Sequence, residues 1–410
     1  MDMLKRIFFV FLLIIQTEAF TSALCYPSAK DATVVYLSWI EDPCHTMTIQ
    51  WHSERNDRSC KVFYQKAGSL ECESKVGTNT PLIQTNFLVN TVELTDLEAD
   101  TEYFFRFDGK EACHKFRTMP EKLNRDIRFV VGGDVYYFFD KMHLLNVDIA
   151  KRDPDFVIVG GDIAYAFGRP HFFPRKNGDI RRWRYFLKEW TDQMVGADGR
   201  LIPMVVVIGN HDVKNSEKDP AKRAAIFYNL FAMPNKNTSY RTLDFGSYLS
   251  LFLLDTGHSY PVSGEQTKWL ENELLKKEST AHKMAAYHVA AYPAVYPFEG
   301  TGPKLIRQNW VPLFEKYQVG TAFEHHNHAY KRTFRIKENK VDPNGVLYLG
   351  DGVWGVYPRK VHSYKRAWYL EKAESINSYW LVTLGPEQNQ FQSFDAKGKI
   401  IEEFPLLKEH

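Results

Sequence analysis

Five short blocks carry side chains that bind hard cations: Gly133-Asp134, Gly161-Asp162 running on to Tyr165, Gly209-Asn210-His211-Asp212, the end of Ala285-Ala286-Tyr287-His288, and His325-His326-Asn327-His328. Each follows an apolar run or lies in the loop after one, and a glycine ahead of the carboxylate or amide lets the backbone turn sharply toward an ion. Three histidines (His288, His326, His328), two aspartates (Asp134, Asp162), Asn210 and Tyr165 make seven side chains. If one aspartate is shared, the contacts fit two cations about 3.5–4 Å apart, a pair that holds two phosphate oxygens and lowers the pKa of a water between them. Imidazole suits zinc, iron and nickel, whereas phenolate is a hard anionic donor that favours trivalent iron. Alone, a Gly-Asp after a strand is a turn and a lone histidine is a hydrogen-bonded structural residue. Five such blocks in one order, each beside a strand end, point to one shared site. His211 follows Asn210, so its ring faces the phosphoryl group, as a binder of that group or as a general acid worth ~10²–10⁴-fold. Asp212 either orients that ring or is a surface carboxylate.

The blocks require strands that end where they begin. Apolar runs at Ile127 to Val131, Phe156 to Val159 and Met204 to Ile208 stop abruptly at Gly-Asp or Gly-Asn, and segments of helical spacing, Lys141 to Arg152 and Asp179 to Val195, lie between them. Further strands are expected at Ser247 to Leu254, Lys283 to His288, Gly345 to Gly350 and Tyr379 to Thr383. Strands alternating with helices predict an α/β domain over residues 127–405 with a largely parallel sheet, its polar residues meeting at the carboxyl ends of the strands. Ahead of it, Ala32 to Trp39, Thr46 to Trp51, Cys60 to Tyr64, Phe87 to Leu94 and Thr101 to Phe107 are short alternating runs without helices between them, the pattern of a β-sandwich over residues 26–120.

Two domains suit 410 residues, and 44% hydrophobic with 25% charged residues is an ordinary globular composition. With 52 basic and 50 acidic side chains, a net charge of +2 provides no general field for nucleic acid or an anionic membrane, so anion binding must be local. Lys5 and Arg6, the apolar run Ile7 to Ile15 and Thr21-Ser22-Ala23 have the layout of a secretory signal over residues 1–23. The run is shorter than the ~20 residues a spanning helix needs, no later stretch is long and apolar enough to span a bilayer, and no stable membrane anchor is expected. The expected location is outside the cytosol: secreted, periplasmic or in the secretory-pathway lumen. All five cysteines, Cys25, Cys44, Cys60, Cys72 and Cys113, precede residue 114, without tight C-x-x-C spacing. Exported β modules with such cysteines carry disulfides; in a reducing compartment the same residues are buried thiols.

Together the blocks resemble the purple acid phosphatases, within the calcineurin-like metallophosphoesterases, whose motifs run Gly-Asp-x-Gly, Gly-Asp-x-x-Tyr, Gly-Asn-His-Glu/Asp, Val-x-x-His and Gly-His-x-His. Phe245-Gly246-Ser247-Tyr248, Leu254-Asp255-Thr256, Gln266 with Trp269-Leu270, and Leu349-Gly350-Asp351-Gly352 extend the resemblance over residues 127–390. Leu94 to Arg106, followed by Phe116 to Pro120, resembles the end of a fibronectin type III-like module. The resemblance implies an N-terminal β-sandwich followed by two packed sheets flanked by helices. It also implies a dinuclear centre in which Asp134, Tyr165 and His328 bind Fe(3+), Asn210, His288 and His326 bind a divalent iron, zinc or manganese, Asp162 bridges, and His211 is catalytic. The activity implied is hydrolysis of small-molecule phosphomonoesters at acidic pH by a metal-bound hydroxide. A diesterase or specialised phosphatase on the same metal pair is the alternative, and an inactive binding protein a third reading.

Several positions depart from the family pattern. Tyr136 stands where glycine is usual and where the wider superfamily has a ligating histidine; it crowds the metal, competes with Tyr165 or points away. His325 replaces the glycine of Gly-His-x-His, as tolerated bulk or a substrate contact. Tyr296-Pro297-Phe298 stands where some members have histidines. Phe138, Phe139, Phe167, Tyr292 and Tyr296 either line the pocket or pack in the sheets. Asn237-Thr238-Ser239 fits the glycosylation pattern, and Arg169, Arg175 and Lys176 form a basic loop.

Overall fold

The computed structural model describes residues 34–167, 177–235, 238–350, 352–362, 367–387 and 389–405. The N-terminal signal, Cys25, the basic loop residues Arg169, Arg175 and Lys176, and Asn237 lie outside them.

Eight strands build the first module: β1 (Val35–Ser38), β2 (Met47–Glu54), β3 (Lys61–Lys66), β4 (Glu73–Val76), β5 (Thr78–Pro81), β6 (Phe87–Leu94), β7 (Glu102–Phe107) and β8 (Cys113–Arg117). They pair antiparallel in two sheets, β1-β2-β6-β5 and β4-β3-β7-β8. The β7 sequence EYFFRF alternates half-buried and buried, as a strand with one wet face must. Between the sheets Trp51 tilts over Phe107 at 4.4 Å, and within the second sheet Tyr103 stacks on its cross-strand neighbour Phe116 at 5.6 Å.

The second unit contains β9 (Ile127–Gly132), α1 (Phe139–Lys151), β10 (Phe156–Gly160), α2 (Ile180–Gln193), β11 (Met204–Val207), α3 (Pro220–Arg223), α4 (Ala225–Leu230), β12 (Arg241–Phe245), β13 (Leu249–Leu254), α5 (Glu265–Lys276) and β14 (His282–Val289). It continues with α6 (Thr301–Asn309), α7 (Val311–Lys316), β15 (Thr321–His325), β16 (Tyr330–Thr333), the short β17 (Ile336–Lys337) and β18 (Lys340–Val341), β19 (Leu347–Gly350), β20 (Leu370–Glu374), β21 (Ser378–Leu384), β22 (Asn389–Asp395) and β23 (Ile400–Pro405). Two sheets form, β11-β10-β9-β21-β22-β23 and β12-β13-β14-β15-β19-β16-β20. They are mixed rather than largely parallel. β9, β10 and β11 are parallel, as are β13, β14, β15 and β19, whereas β12, β16, β20, β21, β22 and β23 pair antiparallel around them. The parallel strands are covered on both faces, and β10, β11 and β13 read as nearly continuous apolar runs, which is why they stand out in the sequence. β10 and β11 pack face to face on β13, β14 and β15.

The sandwich is docked on this unit. Thr191 Oγ1 bonds both the Val35 amide (3.0 Å) and carbonyl (2.8 Å), Tyr36 OH donates to the Leu230 carbonyl, and Trp39 lies edge-on to Phe156 and Phe245. The disulfides expected for the module are not formed by Cys44, Cys60 or Cys72. Cys44 and Cys60 are buried thiols whose Sγ atoms donate to Pro120 O and Thr78 O. Cys72 is exposed just before β4, and Cys113 opens β8, at the other edge of the same sheet.

Candidate metal centre

The parallel strands of both sheets deliver the sequence blocks to one crevice at their carboxyl ends. Asp134 follows β9, Asp162 and Tyr165 follow β10, Asn210 follows β11, His288 is the penultimate residue of β14, and His326 and His328 follow β15. The register of β14 against β15 shifts between Tyr287 and Val289, a bulge that aims the His288 ring into the crevice. Asp134, Asp162, Tyr165, His326 and His328 all have φ between +48° and +68°. Left-handed backbone is costly for such side chains, and it persists here because the surrounding fold over-determines it.

Two clusters result. In one, Tyr165 OH lies 2.8 Å from Asp134 Oδ1 and 3.1 Å from His328 Nε2, and those two are 2.9 Å apart. In the other, His288 Nε2 lies 3.2 Å from Asn210 Oδ1, 3.2 Å from His326 Nδ1 and 3.4 Å from Asp162 Oδ2. The ligand atoms of Asp162, His288 and His326 all fall within 4.8 Å of one another, the span of a cation site. Asp134 Oδ2 links the clusters by accepting the His326 amide at 2.9 Å. The seven residues named from sequence therefore meet in one place, nearly all buried.

Burial raises the carboxyl pKa values, but His328 and His288 outweigh it at Asp134, and His288, His211 and His326 at Asp162, so both are held below the ordinary range. Burial lowers His288, yet Asp162 and Asp134 lift it to about 9. Burial and His288 push His326 down to about 3, and burial with Asp134 and Asp162 drives the Tyr165 phenol well up. Two carboxylates, a phenol and three imidazoles converge on shared points, and a multivalent cation would reverse this protonation pattern, ionising the phenol. The donor set fits two such ions.

His211 stacks on Tyr165 at 4.6 Å, its Nδ1 bonds the Phe167 carbonyl at 2.7 Å, and its Nε2 faces the clusters, 3.8 Å from Asp162 Oδ2. Asp212 is neither a surface carboxylate nor the group that orients this ring. It is fully buried and accepts the amides of Ile163 and Gly209 at 2.9 Å each, tying the β10 and β11 loops together. Burial and the nearby Asp162 push its carboxyl up to about 8.

The departures resolve individually. Tyr136 points away from the clusters, its ring 4.3 Å beneath the Arg182 guanidinium. His325 is 2% exposed, so it is no substrate contact; its ring occupies the space where Gly133 and Gly160 lack a Cβ. Tyr292 is core. Tyr296 is at the site, stacked on His326 at 4.9 Å, and Phe138 packs on the exposed Tyr357. Sequence reasoning missed His258, a buried ring 5.4 Å from that of His288, and Arg359; neither lies in a patterned segment.

The family model of the calcineurin-like phosphoesterases matches residues 127–342, and that of the purple acid phosphatase N-terminal domain matches residues 33–118. Probable purple acid phosphatase 20 of Arabidopsis thaliana is 27% identical over 332 residues, spanning 75% of this chain and 71% of its own. The Fe(3+)-Zn(2+) purple acid phosphatase 12 of the same plant is 25% identical over 320 residues, 74% of this chain and 62% of its own. Among solved structures, a purple acid phosphatase from yellow lupin (Lupinus luteus) seeds shares the fold, with a TM-score of 0.75 at 16% identity over 92% of this chain and 74% of that one. With both matched regions lying on the two units described above, the chain belongs to the calcineurin-like phosphoesterase family, in its purple acid phosphatase branch.

Proposed function

We propose that the protein hydrolyses phosphomonoesters at a centre in which Asp134, Tyr165 and His328 hold a ferric ion, Asn210, His288 and His326 hold a divalent one, and Asp162 lies between them. The single observation that carries this reading is the meeting of a buried phenol with an aspartate and an imidazole at 2.8–3.1 Å, beside a second imidazole, carboxylate and amide cluster. When bound, such a metal pair polarises phosphoryl oxygens and supplies a nucleophile from water. The chain's own residues do the rest. His211 is held by its Nδ1 on the Phe167 carbonyl, which leaves Nε2 to bind the phosphoryl group or protonate the leaving oxygen. Asp212 keeps the two loops that carry Asp162 and Asn210 in register. The Fe(3+)-Zn(2+) relative supports iron with zinc as the first pair to test. An exported location is supported by the N-terminal charge and apolar pattern, and among the described residues no helix is long and apolar enough to cross a membrane.

The test is an absorption spectrum of metal-replete protein with iron analysis, beside Tyr165→Phe. A visible ferric-phenolate band lost in the variant is expected. A colourless, iron-free yet fully active protein overturns the assignment of Tyr165 and of iron.

A further inference from the structure

One cation outside every sequence block borders the same crevice. Arg359, in the loop after β19, is tied to the backbone of two ligand positions: its amide donates to the His328 carbonyl at 2.8 Å and its Nη1 to the His326 carbonyl at 3.3 Å. Nη1 also donates to the Tyr296 hydroxyl, and the guanidinium carbon lies 5.2 Å from that ring. Tyr296 is itself fixed, stacked on His326 with rings inclined 24° and its carbonyl bonded to His362 Nε2 at 2.9 Å. The Arg359 carbonyl accepts Ser375 Oγ at 2.7 Å. Anchored this way, the side chain is half-buried and its position is set in advance. A guanidinium has five N–H donors. Among the described residues, only Nη1 has protein acceptors and no carboxylate is paired with the charge.

A phosphomonoester presents three terminal oxygens and, near neutrality, two negative charges; a diester presents two oxygens and one charge. A metal pair takes two oxygens. The third exists only in the monoester, and an arginine with free donors is suited to it. We propose that Arg359, braced by Tyr296, binds this third oxygen and makes the site select phosphomonoesters over diesters. The inference rests on phosphoester hydrolysis at the paired clusters.

The experiment compares metal-loaded full-length wild type with Arg359→Met, Arg359→Lys and Tyr296→Phe. Calorimetry gives the affinity for inorganic phosphate, steady-state kinetics give kcat/KM for an aryl phosphate and a bis-aryl phosphate, and elemental analysis gives metal content. For Arg359→Met we expect phosphate affinity and monoester kcat/KM to fall ~10–100-fold, as for loss of a charge-assisted bond. Diester turnover should stay within ~3-fold of wild type by the same reasoning, Arg359→Lys should recover part of the loss, and metal content should not change. Phosphate affinity within about twofold of wild type, or equal losses on both substrates, overturns the inference. So does metal loss in Arg359→Met, because Arg359 would then act only on the His326 and His328 backbone. A wild type that cleaves neither ester but loses phosphate affinity on Arg359→Met sinks the hydrolase reading and keeps the anion site; one that binds no phosphate sinks both.

Discussion

Replacing Gly160 with alanine tests how His325 is accommodated. An ideal Cβ on Gly160 would lie 1.9 Å from His325 Nε2 and 2.0 Å from its Cδ2, whereas ordinary contact begins near 3.4 Å, so something must move by 3.4 − 1.9 = 1.5 Å. The ring has little room to yield: it is 2% exposed, it also lies against Gly133, and the next residue is His326 of the metal site. Overpacking of this kind costs about 1–3 kcal/mol, and the upper end is expected because the contact is with a rigid ring. His325→Ala removes the obstacle and leaves a cavity, costing ~2–4 kcal/mol by analogy with other large-to-small changes. In the double variant the new methyl enters that cavity, so the two costs should fall short of their sum by ~2 kcal/mol. Equilibrium urea unfolding, followed by the fluorescence of the nine tryptophans, measures all four corners of the cycle. A Gly160→Ala variant within ~0.5 kcal/mol of wild type, or a strictly additive double variant, would refute the account of His325 as bulk admitted by a missing Cβ.

Lys331 and Glu324 form a buried ion pair, 1% and 0% exposed, and the carboxylate also accepts Tyr287 OH and the Ala291 amide in the loop after His288. Lys331→Met leaves that charge unpaired and should cost ~3–5 kcal/mol in urea unfolding; a loss under ~1 kcal/mol would show that the pair contributes little. His52, in the sandwich, is pushed down to about 3 by burial and by Arg184, so it stays neutral in the fold while the unfolded chain takes up its proton below about 6.5. Its contribution is therefore intact above pH 6.5 and is lost as pH falls toward 3, reaching ~2 kcal/mol at pH 5. His52→Phe should flatten the slope of stability against pH in that window, and an unchanged slope assigns acid sensitivity to other groups.

Much of the candidate ligand set could be read from sequence because β9, β10 and β11 are largely apolar runs whose ends are marked by a glycine and a polar residue. The same reasoning passed over β4, where all four residues are exposed and no alternation exists. It also passed over β15, whose Thr321–His325 segment is fully buried but contains Glu324 and His325, so its apolar run is broken by polar residues, and Glu324 finds its partner Lys331 only in the fold. Asp212 was misread for a related reason: its partners, Ile163 N and Gly209 N, are backbone atoms, which leave no trace in residue type. Arg359 lies in an irregular loop and becomes meaningful only when β19 places it beside Tyr296, 63 positions away.

Of the twelve non-glycine residues with left-handed backbone among the described residues, five are the candidate ligands Asp134, Asp162, Tyr165, His326 and His328. At ~1 kcal/mol or more apiece, these five positions withhold several kcal/mol from a net stability of only ~5–15 kcal/mol. Glycine would relieve the strain at each of them. A library selected for thermal resistance alone would accordingly drift toward substitutions in the metal-binding crevice, and its most robust members would be the ones least able to turn over a phosphoester.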